Sequence, residues 1–305
     1  MTDATPSIHV YGAGRVGLAI LKLARERGVT LTGAWNPREV RAERRDLVQG
    51  IPIEVTSEPA AVAADLWLIA VPDDAIADVA ERLARAPGPR PAAAAHCAGA
   101  IPAALLAPLA AQGVACGSFH PAMTFRGAEG DAEALAGAVV AIEGEPRAVD
   151  LLERLADQLG VARVAVAAES KARYHTALVL ASNGRMALDA AAVRLLEEAG
   201  LDEADALALL RPLTARTEEN LRAATPAHAL TGPVARGDAR TVRSQLDALA
   251  DRPRLLALYR ALGTFLLDLV PADVRGEGHR EVACLLGEET PDEPDERPNQ
   301  GKEDL

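Results

Sequence analysis

The sequence predicts an α/β chain: a doubly wound, mostly parallel sheet followed by an all-α domain. Three observations carry that reading. A short apolar run beginning at Ile8 passes through Gly12-x-Gly14-x-x-Gly17 straight into a helical pattern of Leu18, Ile20, Leu21, Leu23 and Ala24. Strand-like and helical patterns then alternate to about residue 168, the order that builds a parallel sheet. Beyond residue 168 the strand signal disappears and only helical patterns follow.

The opening element has the order strand, glycine turn, helix that a dinucleotide pyrophosphate needs, which makes the predicted sheet Rossmann-type. Gly12 allows the tight turn, Gly14 lets backbone approach the phosphates, and Gly17 lets helix pack close to strand. Ala13, Arg15 and Val16 complete the turn, and the phosphates are expected at the helix N-terminus, where free N–H groups and the dipole favour negative charge. The first helix ends near Gly28, and a second strand runs Thr30–Trp35. A carboxylate at its end would bond the ribose hydroxyls of NAD. The chain instead reads Asn36-Pro37-Arg38, followed by Arg41, Arg44 and Arg45, so guanidinium groups stand where a 2′-phosphate would sit. NADP, with NADPH preferred over NADH, is the expected cofactor. Arg38 is its best phosphate ligand, the other arginines having solvation of a helix face as their alternative.

Ile51–Val55 is a short strand, and Leu66–Val71 is the continuous apolar run of a strand covered on both faces. It ends in Pro72-Asp73-Asp74, either aspartate being able to cap the next helix. Ala92–Ala95 leads to His96-Cys97-Ala98-Gly99, and Val114–Phe119 leads to His120-Pro121. Ligands of open α/β sheets bind beyond the carboxyl ends of the strands. The glycine turn, Val71, Pro72, Asp73, His96 and His120 are therefore expected around one cleft. Strands Ala138–Ile142 and Arg163–Val166 flank a helix over Pro146–Leu159 and close the first domain, 1–168. Helices over Ser170–Ala199, Ala204–Leu210, Leu213–Ala223, Arg240–Ala250 and Pro253–Leu269 make the second, 169–287.

Residues 288–305 hold eight acids and two bases, half of the net charge of −12, with little to bury; they read as a disordered acidic tail. The remaining body is only mildly acidic, which excludes a nucleic-acid surface. No apolar run approaches the ~20 residues of a membrane span, and no signal-peptide pattern opens the chain. Three cysteines without ligand spacing fit a reduced, cytoplasmic protein and no metal site, the set His96, Cys97, Cys116 and His120 matching no zinc pattern.

The first helix of the second domain carries the chemistry. Lys171, His175 and Ser182 lie within roughly 40° of one another on a helical wheel, flanked by Tyr174 and Asn183. Hydride transfer to a C=O or C=N bond needs a proton for the heteroatom and stabilisation of developing charge. Lys171 is expected as acid or carboxylate anchor, His175 and Asn183 as orienting groups, and His120 next in line. The bland alternatives are a solvated lysine, a satisfied core histidine, and turn-capping roles for His96 and His120. Cys97 has no base partner in its local sequence. Thr231–Asp238 forms a Gly/Pro-shaped loop with Asp238 able to cap the following helix and Arg236 able to hold an anion.

In that order GAGRVG, VPDDAI, HCAGA, SFHPAMTF, SKARYHTALVLASN and LTGPVARGD resemble a family of Rossmann-like proteins whose helical second domain is catalogued as a domain of unknown function. The family is similar to pyrroline-5-carboxylate reductase and, more distantly, to the 6-phosphogluconate and β-hydroxyacid dehydrogenases. The resemblance implies an NADP-binding domain followed by a helical domain that helps form the active site and makes a homodimer, with the loop Thr231–Asp238 lining a cleft. Lys171 matches the catalytic lysine of β-hydroxyacid dehydrogenases in kind, but His175 stands where their asparagine is expected and Asn183 lies two turns on. His120-Pro121-Ala122-Met123 is similar to a segment of prephenate dehydrogenases. The expected function is an NADP-dependent oxidoreductase reducing a C=O or C=N bond of a small, carboxylate-bearing substrate. The alternatives are an NADP(H)-binding sensor without turnover and a prephenate-dehydrogenase-like enzyme.

Overall fold

The computed structural model describes residues 5–287, so the tail expected over 288–305 lies outside the described residues. Strands β1 (Ile8–Tyr11), β2 (Leu31–Asn36), β3 (Ile53–Val55), β4 (Leu66–Ile69), β5 (Ala93–His96), β6 (Ala115–Pro121), β7 (Val139–Gly144) and β8 (Ala162–Ala165) form one sheet. Their order is β3-β2-β1-β4-β5-β6-β7-β8, with β6 and β7 antiparallel and every other neighbouring pair parallel. Chain reversal between β1 and β4 puts the switch point of the doubly wound sheet beside the glycine turn.

Side-chain alternation along the strands builds two cores. Ile8, Val10, Leu66, Leu68, Ala93 and Ala95 face one side, where α1 (Arg15–Glu26) and, later in the chain, the helices over Asp131–Ala136 and Pro146–Leu159 cover them. Tyr11, Trp67, Ile69, Ala94 and Cys116 face the other, under helices over Ile76–Arg85 and Ala107–Ala110. Aromatic residues are few, yet both tryptophans lie fully buried in this second core. Each also serves as a donor to one loop: Trp35 Nε1 bonds Thr56 O at 3.0 Å, Trp67 Nε1 bonds Val62 O at 2.9 Å, and Tyr11 Oη bonds Ala60 O at 2.8 Å. The aromatic bodies fill space while their polar tips pin residues 56–62, which have no strand or helix to hold them.

Two compact units divide after Arg185 rather than at 168. The difference is the helix α2 (Lys171–Val179) and the turn that follows it, whose functional side chains bond to the sheet. The helix expected over Ser170–Ala199 is interrupted. A π-helical turn, Leu180–Gly184, separates α2 from α3 (Arg185–Glu198). Ser182 Oγ donates to the Leu178 carbonyl at 2.7 Å, the back-bonding with which serine disturbs a helical ladder. Conversely, the two helices expected around Pro212 are one, α4 (Glu203–Ala223). The proline removes one N–H and its bond to Ala208, and the helix continues through it. Asp202 caps its start by accepting from Asp205 N at 2.8 Å.

The second unit also contains α5 (Ala239–Ala248), α6 (Pro253–Asp268) and α7 (Glu277–Leu286), the last unforeseen from sequence. Its core is small: Val234, Ala239, Val242, Leu246, Leu267, Val282 and Leu286. No helix among the described residues is long and apolar enough to cross a membrane.

Candidate active site

Tyr11, Ile69, His96 and Ser118 pair across β1, β4, β5 and β6 in one row. β1, β4 and β5 end at this level and β6 runs on to Pro121, so the segments leaving them gather along one edge of the sheet. Gly12, the first residue beyond β1, has φ +109°, and a Cβ there would stand 2.6 Å from the Ala70 carbonyl oxygen. At Gly17 a Cβ would collide with the Gly12 carbonyl, so glycine is what lets α1 start this close to β1. Gly14 differs: a Cβ would meet nothing nearer than Ala70 O at 3.9 Å, leaving room for a ligand. Gly14 is also the N-cap of α1, with no side-chain cap and no acid in the first turn. An uncapped, acid-free helix start beside open space fits a pyrophosphate.

Asn36, at the end of β2, holds this turn in shape. Its Oδ1 accepts from Ala13 N at 2.9 Å and its Nδ2 donates to Arg38 O. The basic cluster behind it separates by role. Arg45 is ion-paired to Glu39, and the Arg44 guanidinium lies against Gly127. Arg38 and Arg41 are exposed and have no ion pair among the described residues. Val71, whose N would stand 2.9 Å from a Gly12 Cβ, borders the turn, and Pro72 precedes a 3-10 turn over Asp73–Ala75. Neither Asp73 nor Asp74 caps the helix at Ile76–Arg85, since no side-chain cap bond is made at either start.

His96 is completely buried. Its Nδ1 accepts from Ala98 N and its Nε2 bonds Pro102 O, both at 3.2 Å, so both ring nitrogens are engaged by the local turn. Burial pulls its pKa down to about 4. The ring that sequence placed among the cofactor ligands thus serves as a turn cap.

Lys171 is buried as well, at 1% exposure. Its Nζ donates to Ser118 Oγ at 2.8 Å; Ser118 Oγ in turn bonds Glu143 Oε2 at 3.3 Å, and that oxygen accepts from Ala103 N at 2.8 Å. Burial holds the Lys171 ammonium below its usual range while Glu143 opposes the shift. The amine expected at the substrate is instead sealed against the sheet, tying α2 to β6 and β7. Burial also pushes the neighbouring Cys97 thiol up to about 12, against the pull of Lys171, which leaves no thiolate nucleophile there.

One helical turn along α2 the environment opens. His120 Nδ1 stands 2.9 Å from Tyr174 Oη, and the His120 ring lies 5.7 Å from the ring of His175 at an interplanar angle of 77°. Both imidazoles close over Gly99: a Cβ on that glycine would lie 2.8 Å from His120 Nε2 and would collide with His175. Burial, helped by His175, Lys171 and His96, pulls His120 down to about 4. These two rings face a cavity of about 410 Å³ together with Met123, Thr124, Ser182 and Asn183. The π-helical turn supplies the last two, with Ser182 Oγ 3.1 Å from Asn183 Oδ1. Such turns are frequent at functional sites. Of the sequence-predicted catalytic set, the structure brings His120, His175 and Asn183 together and leaves Lys171 outside the lining. Gly99 and Tyr174 are the residues sequence reasoning undervalued. A glycine after a strand-end histidine and a tyrosine beside His175 were the available signals.

A larger hollow of about 730 Å³ follows the exposed edge strand β8, where Arg163 is engaged by Glu153 and Asp157. In the second unit the loop Thr231–Asp238 is tied down by His279, whose Nε2 bonds Ala235 O at 3.1 Å. Asp238 caps α5 by accepting from Thr241 N at 3.1 Å.

Residues 1–121 match a Rossmann-like domain, and residues 138–265 match a domain of unknown function, DUF2520. The chain joins a Rossmann-like domain to a DUF2520 domain. Among solved structures it is similar to a candidate NADP oxidoreductase from Bacteroides fragilis, at 24% identity and TM-score 0.68, covering 88% of this chain and 100% of that one. A 1-pyrroline-5-carboxylate reductase from Streptococcus pyogenes is similar at 17% identity and TM-score 0.57, covering 88% and 98%. The reductive aminase from Aspergillus terreus, solved with NADPH and ethyl levulinate, is similar at 19% identity and TM-score 0.60, covering 93% and 99%. At such identities the likeness is one of fold. A search of the curated proteins finds no significant match.

Proposed function

We propose that this DUF2520 protein is an NADP-dependent oxidoreductase that reduces a C=O or C=N bond of a small substrate held at the His120–His175 cavity. One observation carries the reading: two imidazoles converge over Gly99 on the same sheet edge as the uncapped, glycine-lined start of α1. The relatives in fold that carry NADPH or NADP in their structures support the choice of cofactor.

NADPH, when bound, supplies the hydride. Gly12, Ala13, Gly14, Arg15, Val16 and Gly17 cradle its pyrophosphate at the helix start, with Asn36 fixing the turn and Arg38 meeting the 2′-phosphate. Val71, Pro72 and Asp73 border the same turn. His120 donates a hydrogen bond to the carbonyl oxygen or imine nitrogen as negative charge develops there, the proton that completes the alcohol or amine coming from water, while His175 supplies the second polar contact and Asn183 orients the substrate. Lys171 holds α2 to β6 through Ser118 without touching the substrate. The amine's engagement by Ser118 favours one second reading, an NADP(H)-binding sensor in which the dinucleotide is held and never oxidised.

The chain is further proposed to act as a homodimer in the cytoplasm. Leu180 and Met186 are exposed at 69% and 63%, and Leu213 and Phe265 at 63% and 72%, side chains that a second copy would cover. Light scattering that gave a monomer would remove the dimer.

The first test is titration with NADPH and NADH, followed by nicotinamide fluorescence. Tighter binding of NADPH, weakened by Arg38→Ala, is expected. If neither nucleotide binds at sub-millimolar concentration, both readings end. Binding without oxidation of NADPH across a panel of aldehydes, ketones and imines would leave the sensor.

A further inference from the structure

Tyr174 belongs to neither the glycine cradle nor the cavity lining. Its hydroxyl nevertheless reaches His120 Nδ1 at 2.9 Å, with the two rings perpendicular at 89° and 5.7 Å apart. We infer that Tyr174 is a positioning residue for His120: its hydroxyl donates to Nδ1 and so places the ring hydrogen on Nε2, the nitrogen that stands over Gly99.

The direction of the bond follows from counting donors and acceptors. A phenol has one hydrogen, and among the described residues the one acceptor that the Tyr174 hydroxyl reaches is His120 Nδ1. Burial raises the Tyr174 pKa, so the hydroxyl keeps its hydrogen. Were Nδ1 the donor, the half-buried hydroxyl hydrogen would lose the one protein acceptor it reaches among the described residues. A neutral imidazole carries one hydrogen, so an accepting Nδ1 requires Nε2–H. Nε2 is the atom that stands 2.8 Å from where a Gly99 Cβ would be, and glycine is what leaves its hydrogen unobstructed. The same nitrogen on the other tautomer would present a lone pair and repel a developing oxyanion. Tyr174 thereby sets whether His120 presents a donor or an acceptor over Gly99.

This assignment deepens the proposed reduction and rests on it for its purpose, but the tautomer is measurable without turnover. The full chain labelled with 15N-histidine is examined by long-range 15N–1H correlation at pH 7, His120 being assigned from the His120→Gln spectrum. Wild type is expected to show Nε2–H, and Tyr174→Phe a mixture of tautomers with NADPH affinity unchanged within twofold. Nδ1–H in the wild type, or an unchanged Nε2–H population in Tyr174→Phe, would overturn the inference. If Tyr174→Phe is poorly folded by circular dichroism, the wild-type tautomer alone decides the direction of the bond. A protein that binds no NADPH but shows the expected ring response keeps this inference and loses the reductase reading. NADPH binding with an unresponsive ring does the reverse.

Discussion

Lys171 and His175 stand one helical turn apart on α2, yet they live in different solvents. The lysine amine is sealed at 1% exposure between Ser118 and the Glu143 carboxylate behind it, while the histidine shares a cavity with His120. Both residue types suit proton chemistry. What separates them is access: a donor with its hydrogen bond inside the sheet stabilises the fold, and one whose ring edges a cavity is available to a ligand. The comparison teaches that charge and spacing nominate a residue, and burial appoints it.

The largest expected effect lies on the open side. His120→Gln is expected to lower turnover of any reducible substrate about 100-fold while stability stays within about 1 kcal/mol, because the ring is half-buried at the end of β6. Steady-state kinetics beside a urea melt checks both; equal turnover would move the reacting group to His175. On the sealed side Lys171→Ala is expected to cost about 3 kcal/mol of folding free energy, because Ser118 and Glu143 lose a buried partner. NADPH affinity should not change. A Lys171→Ala protein as stable as wild type but without turnover would show that the lysine acts on substrate after all.

The buried histidines sharpen the same contrast through pH. His96 and His9 are each at or below 4% exposure with pKa values lowered from 6.5 to about 4 by burial. Between pH 6.5 and 4 the unfolded chain binds protons that the folded rings refuse, so stability falls as pH drops through that window. Each contributes about 3 kcal/mol to the loss. His9 is the sharper case, its Nε2 lacking a hydrogen-bond partner, and His9→Phe should flatten the pH dependence of urea melts by that amount. The smallest expected effect is at the cofactor edge. Arg38→Ala should weaken NADPH about tenfold and leave NADH unchanged, since one exposed guanidinium–phosphate contact is worth about 1.4 kcal/mol. Loss of both nucleotides alike would place Arg38 in the structure of the turn.

Much of this molecule is legible in its sequence because the signals are local. The glycine spacing, the alternation of apolar strands with helices and the loss of strand signal before α2 each depend on neighbours in the chain, and the eight-stranded sheet follows from them. Local patterning also nominated His120, at a strand end, and His175 and Asn183, on one helix, but separately. The long-range relations were out of reach. Ser118 meets Lys171 across 53 residues and Tyr174 meets His120 across 54, separations over which periodicity carries no information. The π-helical turn likewise broke the helical wheel on which Lys171, His175 and Ser182 had looked equivalent. Local sequence determined the cradle and the edge of the sheet where chemistry belongs. Only tertiary packing decided which polar groups on that edge are closed off from water and which remain open, because burial is a property of what packs over a residue and not of the residue itself.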